Sequence, residues 1–535
     1  MDRRAFLRGG LRSGAALGLL VSGPVVGWPS SAMGLPTPTP SPGAGPYGSL
    51  NGRKPDINGL VLPEGFTARI VAEGGAFVMN GLAGEDFAWP LFPDGKGTLP
   101  TGDGGWLLVC NHEVFDFQTP SGPLGGASSI GFDANGVITG SWPVLAQSHS
   151  NSRGAVTPWG TWLSCQEAFN GDGRIWECDP AGDQPAVPRD VLGVRTHGSV
   201  SVDAANGYAY LTEAHRDGRL YRVAMATVGD PLSGGGLDAD RMEALAVDPE
   251  GAIRWLPVFD PSGSFIPTRF QADEGLVTPM GGGVAVHDGI LVFTTGLDDR
   301  VHAVDLAAGY HSVVWDGSGR RSPLHGIGDL AVAKSGDLFV SEERGDMELV
   351  VITPLGEVAP FCRMVGDAHR LSSVTGPCFD PSGTRLYVSS LRGRGEGLVH
   401  DVVSDLDWGS GVEGRHVGVT YEITGPFRQT APLVEAVEAT VTEQTLVVPH
   451  SVPSTTTSSV SSDKTVPPVA AITRAGAGSS PGSTIGINAA TSSVSESGNS
   501  AVPLGLGLGA AISLAIGGAA MAIRRRSDGH EENSS

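Results

Sequence analysis

Short runs of alternating apolar and polar residues, each bounded by Gly, Pro, Asp or Asn, fill the chain from Ile57 to Phe427, and amphipathic helical periodicity is nearly absent there. That pattern predicts many short β-strands joined by tight turns. The runs also repeat. Each unit opens on a small turn residue, passes through an apolar strand to a polar or acidic exit, turns, and enters a second strand. Units beginning at Gly105, Gly160, Gly207, Gly289, Gly336 and Thr384 follow one another at roughly fifty residues, with one gap stretched by an insertion near 228–280. Six such units predict an all-β, six-bladed β-propeller with four-stranded blades. Radial closure is favoured over a row of β-sandwiches because units this short cannot form separate sandwiches and because a propeller leaves only short, protected edges.

Outside 57–427 the pattern changes. Arg3 and Arg4, followed by Phe6, Leu7 and a glycine-diluted apolar stretch, read as a twin-arginine export signal over 1–32, with a Pro/Gly-rich linker over 33–56. The Ser/Thr/Val-rich tract over 428–500 contains no Phe, Trp or Tyr, too little apolar bulk to offset ordering entropy, and reads as a disordered stalk. The uncharged segment 501–523 is long enough to span a bilayer. Arg524, Arg525 and Arg526 follow it at once, which places the tail 524–535 in the cytoplasm. The expectation is an exported protein on the extracytoplasmic face of the membrane, held by one transmembrane helix, with the twin-arginine export machinery and membrane lipid as partners.

Composition narrows the chemistry. With 35 Lys and Arg against 57 Asp and Glu, the net charge of -22 excludes a nucleic-acid partner and leaves cation binding open. Five cysteines without a CxxC pair exclude a zinc knuckle and a thioredoxin-like motif, and their odd number leaves one for a ligand or a free thiol. The pairing of the others stays open.

The strand exits supply Glu113, Glu167, Glu213 and Glu342 or Glu343, with Glu342 the metal-ligand candidate. In a propeller, equivalent exits converge on the axis, where four carboxylates repel one another unless cations neutralise them. Oxygen donors point to a hard cation such as Ca2+, and a thiolate at Cys165 among them suits a transition metal such as iron. His197, Arg392 and Arg394 are candidate substrate contacts, the arginines for a phosphate group.

Several segments resemble the PhoX-type alkaline phosphatases. They are Asn111-His112-Glu113, the block from Thr157 to Glu167 containing Trp159-Gly160-Thr161-Trp162-Leu163-Ser164-Cys165-Gln166-Glu167, then Tyr210-Leu211-Thr212-Glu213, Gly336 to Glu343, and Gly376 to Val388. The resemblance covers most of 57–427, and the tryptophan-to-glutamate block is its most specific part. It implies two Fe3+ ions bridged by Cys165, Ca2+ ions held by carboxylates, and hydrolysis of small phosphomonoesters outside the cytoplasmic membrane. Three departures bear on that implication. Gln166 stands where the family has an acid after the cysteine, Gly198 follows His197 where the family has another, and Ser341-Glu342-Glu343 replaces Cys-Glu-Asp. Losing two carboxylates lowers the charge of the centre. A calcium-only centre, a calcium-dependent lactonase or esterase, and a non-catalytic surface propeller are the alternatives.

Overall fold

The computed structural model describes residues 41–78, 87–115, 125–225, 242–318, 322–369, 372–393 and 418–430. All fall in the first of the two units into which the chain divides, Met1–Val434. The export signal, the tract after Thr430, the segment 501–523 and Arg394 lie outside the described residues.

Six sheets follow one another along the chain. Blade 1 holds Pro93–Pro100, Trp106–His112, Gly125–Phe132 and Ile138–Ser148, and blade 2 holds Asn151–Val156, Trp162–Gln166, Ile175–Cys178 and Val187–Pro188. Blade 3 runs from His197–Asp203 through Tyr208–Glu213 and Leu220–Ala224, and blade 4 comprises Gly281–His287, Ile290–Thr295, Arg300–Asp305 and Tyr310–Asp316. Blade 5 is built on Ile327–Val332, Leu338–Glu342, Glu348–Ile352 and Glu357–Met364, and blade 6 on Val374–Phe379, Arg385–Ser390 and Val419–Thr424. The first strand of each blade touches the first strand of the next, and blade 6 returns to blade 1. These inner strands therefore close a ring, which is the expected six-bladed propeller.

Three features differ from the sequence reading. The stretch near 228–280 is not only an insertion, because Met242–Val247 and Ile253–Val258 add a fourth and fifth strand to blade 3. The ring closes through the strand Thr67–Glu73, which pairs with Val419–Thr424 and completes blade 6 from the opposite end of the propeller sequence. Arg69 strengthens that seam by donating twice to Glu422, at 2.9 and 3.0 Å. Within the segment read as a linker, Tyr47 packs edge-on against Phe66, Phe361 and Phe427, and Ser41–Pro42 pairs with the outer strand of blade 5.

Apolar side chains fill the spaces between blades. Leu163 and Ile175 of blade 2, for example, meet Val200, Leu211 and Tyr221 of blade 3, each fully buried side chain of this kind contributing roughly 1.5–3 kcal/mol. Burying these faces between the sheets leaves the inner strands to line the axis.

The inner strands share a local distortion. In all six blades the ladder between first and second strands skips two residues near its start: Asp94-Gly95, Ser152-Arg153, Gly198-Ser199, Gly282-Gly283, Gly328-Asp329 and Gly376-Pro377. A bulge at this place re-aims side chains toward the axis. It also brings backbones close together. A Cβ on Gly282 would lie 2.4 Å from the Gly328 carbonyl oxygen, and one on Gly376, whose φ is +55°, would lie 2.0 Å from the Asp94 carbonyl oxygen. Neither position admits a side chain.

Candidate functional site

One backbone hydrogen bond fixes which residues are equivalent at the strand exits. The N–H groups of Glu113, Glu167, Ala214, Gly296, Glu343 and Leu391 donate to Phe92, Ser150, Thr196, Met280, Gly326 and Ser373, the residues just before the six inner strands. Glu113, Glu167 and Glu343 thus occupy one structural position. Glu213 and Glu342 occupy the position before it, together with His112, Gln166 and Thr295. Because successive side chains of a strand point to opposite faces, this one-residue offset separates the two sets.

The first set meets at the axis with residues of the bulges. Arg153 is 5 % exposed, and its Nη1 donates to Glu167 Oε2 at 3.1 Å while its Nη2 pairs with Glu343. Asp94 Oδ2 accepts from Ser152 Oγ at 2.8 Å, and Lys96 Nζ donates to the Asp94 carbonyl oxygen at 2.6 Å. Burial works against the charge on Arg153, but Glu167, Asp94, Asp329 and Glu113 more than reverse that, so the guanidinium is held positive. Burial, with the repulsion of Asp94 and Glu167, pushes the Glu113 carboxyl up to about 8. Burial likewise raises Glu167, and raises Asp329 to about 6. The result is a group of five carboxylates from blades 1, 2 and 5 around one arginine, with Asp94, Glu167 and Asp329 buried, Glu113 and Glu343 half-buried, and Lys96 and Arg392 beside them. Burial and the neighbouring carboxylates thus favour the protonated form of Glu113.

The sequence motifs hold this arrangement from behind. Trp162 Nε1 donates to Asn111 Oδ1 at 2.9 Å, and Asn111 Nδ2 donates to the carbonyl oxygens of Ser152 and Arg153 at 2.8 and 3.0 Å. The indole of one motif thus grips the asparagine of another, which grips the backbone that carries Arg153. Gln166 uses its whole amide, donating to Ser148 Oγ and the His149 carbonyl oxygen and accepting from Arg174 N and Trp176 Nε1. Its place is structural.

The other expected site residues lie elsewhere. Glu213, fully buried, accepts from Tyr221 Oη at 2.7 Å and from Arg269 Nη1 at 2.9 Å. Glu342 accepts from the backbone N–H groups of His325, Asp346 and Glu348 at 2.9 to 3.2 Å, where burial raises its carboxyl to about 7. Both glutamates order loops instead of joining the axial group, and of the two acids at the blade 5 exit it is Glu343, not the preferred Glu342, that stands there. His197 is fully buried in blade 3, with Nε2 bonded to the Gly193 carbonyl oxygen, and burial holds it well below its ordinary value. Arg392 lies close enough to Glu113 to lower that carboxyl's pKa, and its guanidinium sits 5.3 Å from the Phe92 ring. Gly198 could not carry an acid, because a Cβ there would meet the Gly281 carbonyl oxygen at 2.1 Å.

Sequence reasoning missed Asp94, Arg153 and Asp329. Their signal was present: each lies in the bulge at the start of an inner strand, near Gly95, Gly154 and Gly328.

The donor set does not fit the bridged iron pair that the resemblance implies. Cys165 packs with Leu163, Val200 and Leu211, and burial pushes its thiol up, away from the thiolate that iron requires. All five cysteines are buried and free. Among the described residues, no three His, Cys, Asp or Glu side chains are arranged to hold a metal ion. A hard cation fits the donor chemistry better, since the axial group is all oxygen and Asp94 Oδ1 is buried without a hydrogen-bond partner among the described residues.

Comparison with known proteins agrees with the fold. No family model matches the chain, and no curated protein does. Among solved structures, PhoX of Pseudomonas fluorescens, in complex with the transition-state analogue vanadate, matches with a TM-score of 0.53 at 13 % identity, covering 69 % of this chain and 96 % of that one. Regucalcin of Agrobacterium tumefaciens, a calcium-binding protein, matches with a TM-score of 0.32 at 15 % identity, over 69 % of this chain and 98 % of its own. A gluconolactonase of Xanthomonas campestris matches with a TM-score of 0.30 at 13 % identity, over 64 % of this chain and 99 % of its own. At this identity the likeness to PhoX establishes the propeller fold alone.

Proposed function

We propose that the chain is a hydrolase of small phosphomonoesters, exported through a twin-arginine signal, tethered by its carboxy-terminal segment, and acting at the axial cluster. The observation that carries this reading is the nearness of Arg153, a buried guanidinium held positive by its neighbours, to Glu113, whose carboxyl burial pushes up to about 8. A positive fork and a proton donor side by side suit an ester of an oxyanion. Arg153 and Arg392 would orient the phosphoryl oxygens; as water forms the new bond to phosphorus and the bond to the alkoxide breaks, Glu113 would protonate the departing alkoxide and take back a proton from the attacking water. PhoX, which shares the fold, has been captured with vanadate, an oxyanion of this kind.

Asp94 and Asp329 are the carboxylates left for a hard cation such as Ca2+, because Glu167 and Glu343 are already engaged by Arg153 and Glu113 serves as the proton donor. A bound Ca2+ supplies Lewis-acid polarisation of the phosphoryl group. So few free donors imply weak affinity, near the roughly 10⁻⁴–10⁻³ M range of extracellular calcium modules.

The same scarcity favours a second reading, a calcium-dependent lactonase or esterase, which requires one cation instead of a cluster. The test is hydrolysis of nitrophenyl phosphate, nitrophenyl acetate and a small lactone by the full chain, in calcium and in chelator. Calcium-dependent release from the phosphate ester is the expected result. Turnover of the acetate or lactone alone supports the second reading, and turnover of none leaves a non-catalytic surface propeller.

A further inference from the structure

Five carboxylates packed at one end of a ring of strands would ordinarily form the ligand shell of a hard cation. In this chain a side chain stands among them. Arg153 projects from the bulge of blade 2, with its guanidinium between Glu167 of its own blade and Glu343 of blade 5, under the influence of Asp94, Asp329 and Glu113. Asp94 is 3 % exposed, and its Oδ1 lacks a partner among the described residues while Oδ2 takes the hydroxyl of Ser152. The centre is therefore neither empty of positive charge nor fully satisfied.

We propose that Arg153 is the built-in counter-ion of the axial cluster, and that without its guanidinium the same carboxylates form a calcium site. The inference rests on reading the axis as a cation-binding centre, and not on turnover of any ester. A guanidinium is a broad, singly charged plane that bonds two carboxylates in its own plane. Calcium is compact and doubly charged and draws six to eight oxygens to within 2.3–2.6 Å. While the guanidinium is present, Glu167 and Glu343 are committed to it. Removing it leaves Glu167, which is buried, without compensation. The backbone at position 153 is gripped by Asn111, itself held by Trp162, so it keeps its course when only the side chain changes.

The experiment compares the full chain with its Arg153→Met and Arg153→Lys variants, by calorimetric titration with calcium chloride and by thermal melting in chelator and in calcium. The full chain is expected to melt alike in chelator and in calcium kept below about 10⁻⁴ M, under its own weak affinity. Arg153→Met should melt several degrees lower in chelator, recover in calcium, and bind calcium about tenfold more tightly or better. Arg153→Lys keeps the charge and should fold in chelator. The proposal is overturned if the methionine variant binds calcium no more tightly, if calcium does not restore it, or if the unaltered chain or the lysine variant needs calcium to fold. Nitrophenyl phosphate hydrolysis measured alongside separates the two readings: an inactive full chain with a calcium-tight methionine variant removes the phosphatase and keeps the counter-ion.

Discussion

Arg153 and Glu343 belong to opposite blades, the second and fifth of six, and their side chains meet as an ion pair across the propeller axis. Arg153 thereby links two sheets that are not neighbours in the ring. Its two carboxylate partners differ in setting, with side-chain exposures of 10 % at Glu167 and 34 % at Glu343. Breaking a buried pair by removing one partner costs about 3–5 kcal/mol, whereas a solvated pair contributes about 1 kcal/mol or less. Glu167→Gln is therefore expected to lower stability by about 3 kcal/mol and Glu343→Gln by about 1 kcal/mol, measured by urea unfolding. Equal losses, or a larger one at Glu343, would refute this account of the axis.

The sequence carried the blade count because each blade repeats a strand, a polar exit and a tight turn. It carried the crowding of acids at the exits for the same reason. It did not carry the register. Glu113 and Glu213 look alike in their motifs, yet the backbone bond to the residue before the inner strand places Glu213 one residue earlier, on the face that Tyr221 and Arg269 enclose. Only the hydrogen-bond ladder shows such a slip. Arg153 escaped notice because a basic residue after Ser152 has no meaning until the bulge turns it inward. The strand Thr67–Glu73 escaped because its partner lies some three hundred and fifty residues away, beyond any local pattern.

Cys165 provides a second prediction. Its place in the apolar packing between blades 2 and 3 makes it a core residue with an unreactive thiol. Cys165→Ala removes one buried sulfur and should cost about 1–2 kcal/mol through the small void left behind. Calcium binding and any ester hydrolysis should be unchanged. Cys165→Ser should cost more, because it buries a hydroxyl among hydrocarbon. Loss of bound iron or of activity in the alanine variant, at unchanged stability, would restore the bridging thiolate.

Acid should loosen blade 4. Thr295 donates its hydroxyl proton to Asp298, so it can only accept from His302 Nε2, and His302 Nδ1 then accepts from His311 Nε2 at 3.0 Å. His302 must be neutral for that chain of bonds, since its Nδ1 accepts, while His311 is held neutral by burial. Burial lowers His302 to about 3, helped by His311, and burial lowers His311 to about 4. Since the unfolded chain takes up these protons near pH 6.5, stability is full above that pH and falls as the pH drops toward 4. The slope is at most roughly 1.4 kcal/mol per pH unit for each ring, and less for the half-buried His311. A His302→Leu, His311→Leu double variant should flatten the dependence of unfolding free energy on pH between about 4.5 and 6.5. His112 and His197, buried and shifted the same way, keep part of the slope. Identical slopes in variant and parent would dismiss the pair as an acid-sensitive element.

The closing seam makes the last prediction, because it concentrates long-range contacts on a few amino-terminal residues. Thr67–Glu73 covers the edge of Val419–Thr424, and Arg69 shares Glu422 with Arg385 and Tyr387. Just before it, Leu60, Leu62 and Phe66 enter the cluster of Phe339, Phe361 and Phe427, with Tyr47 packed on the outside. A chain begun at Gly75 loses all of this and exposes an unpaired edge strand, which invites association between molecules. One begun at Asn58 keeps the seam and loses Tyr47, the pairing of Ser41–Pro42 with blade 5, and the hydrogen bonds of Gly45 to Glu357, Arg53 to Leu62 and Leu60 to Asp56. The longer chain should remain monomeric and melt several degrees below the parent, whereas the shorter should aggregate or lose its cooperative melting transition. Light scattering and calorimetry of the two truncations decide the matter. A chain begun at Gly75 that melts like the parent would mean that the ring holds without its closing strand, and that the inner strands alone keep the axial residues together.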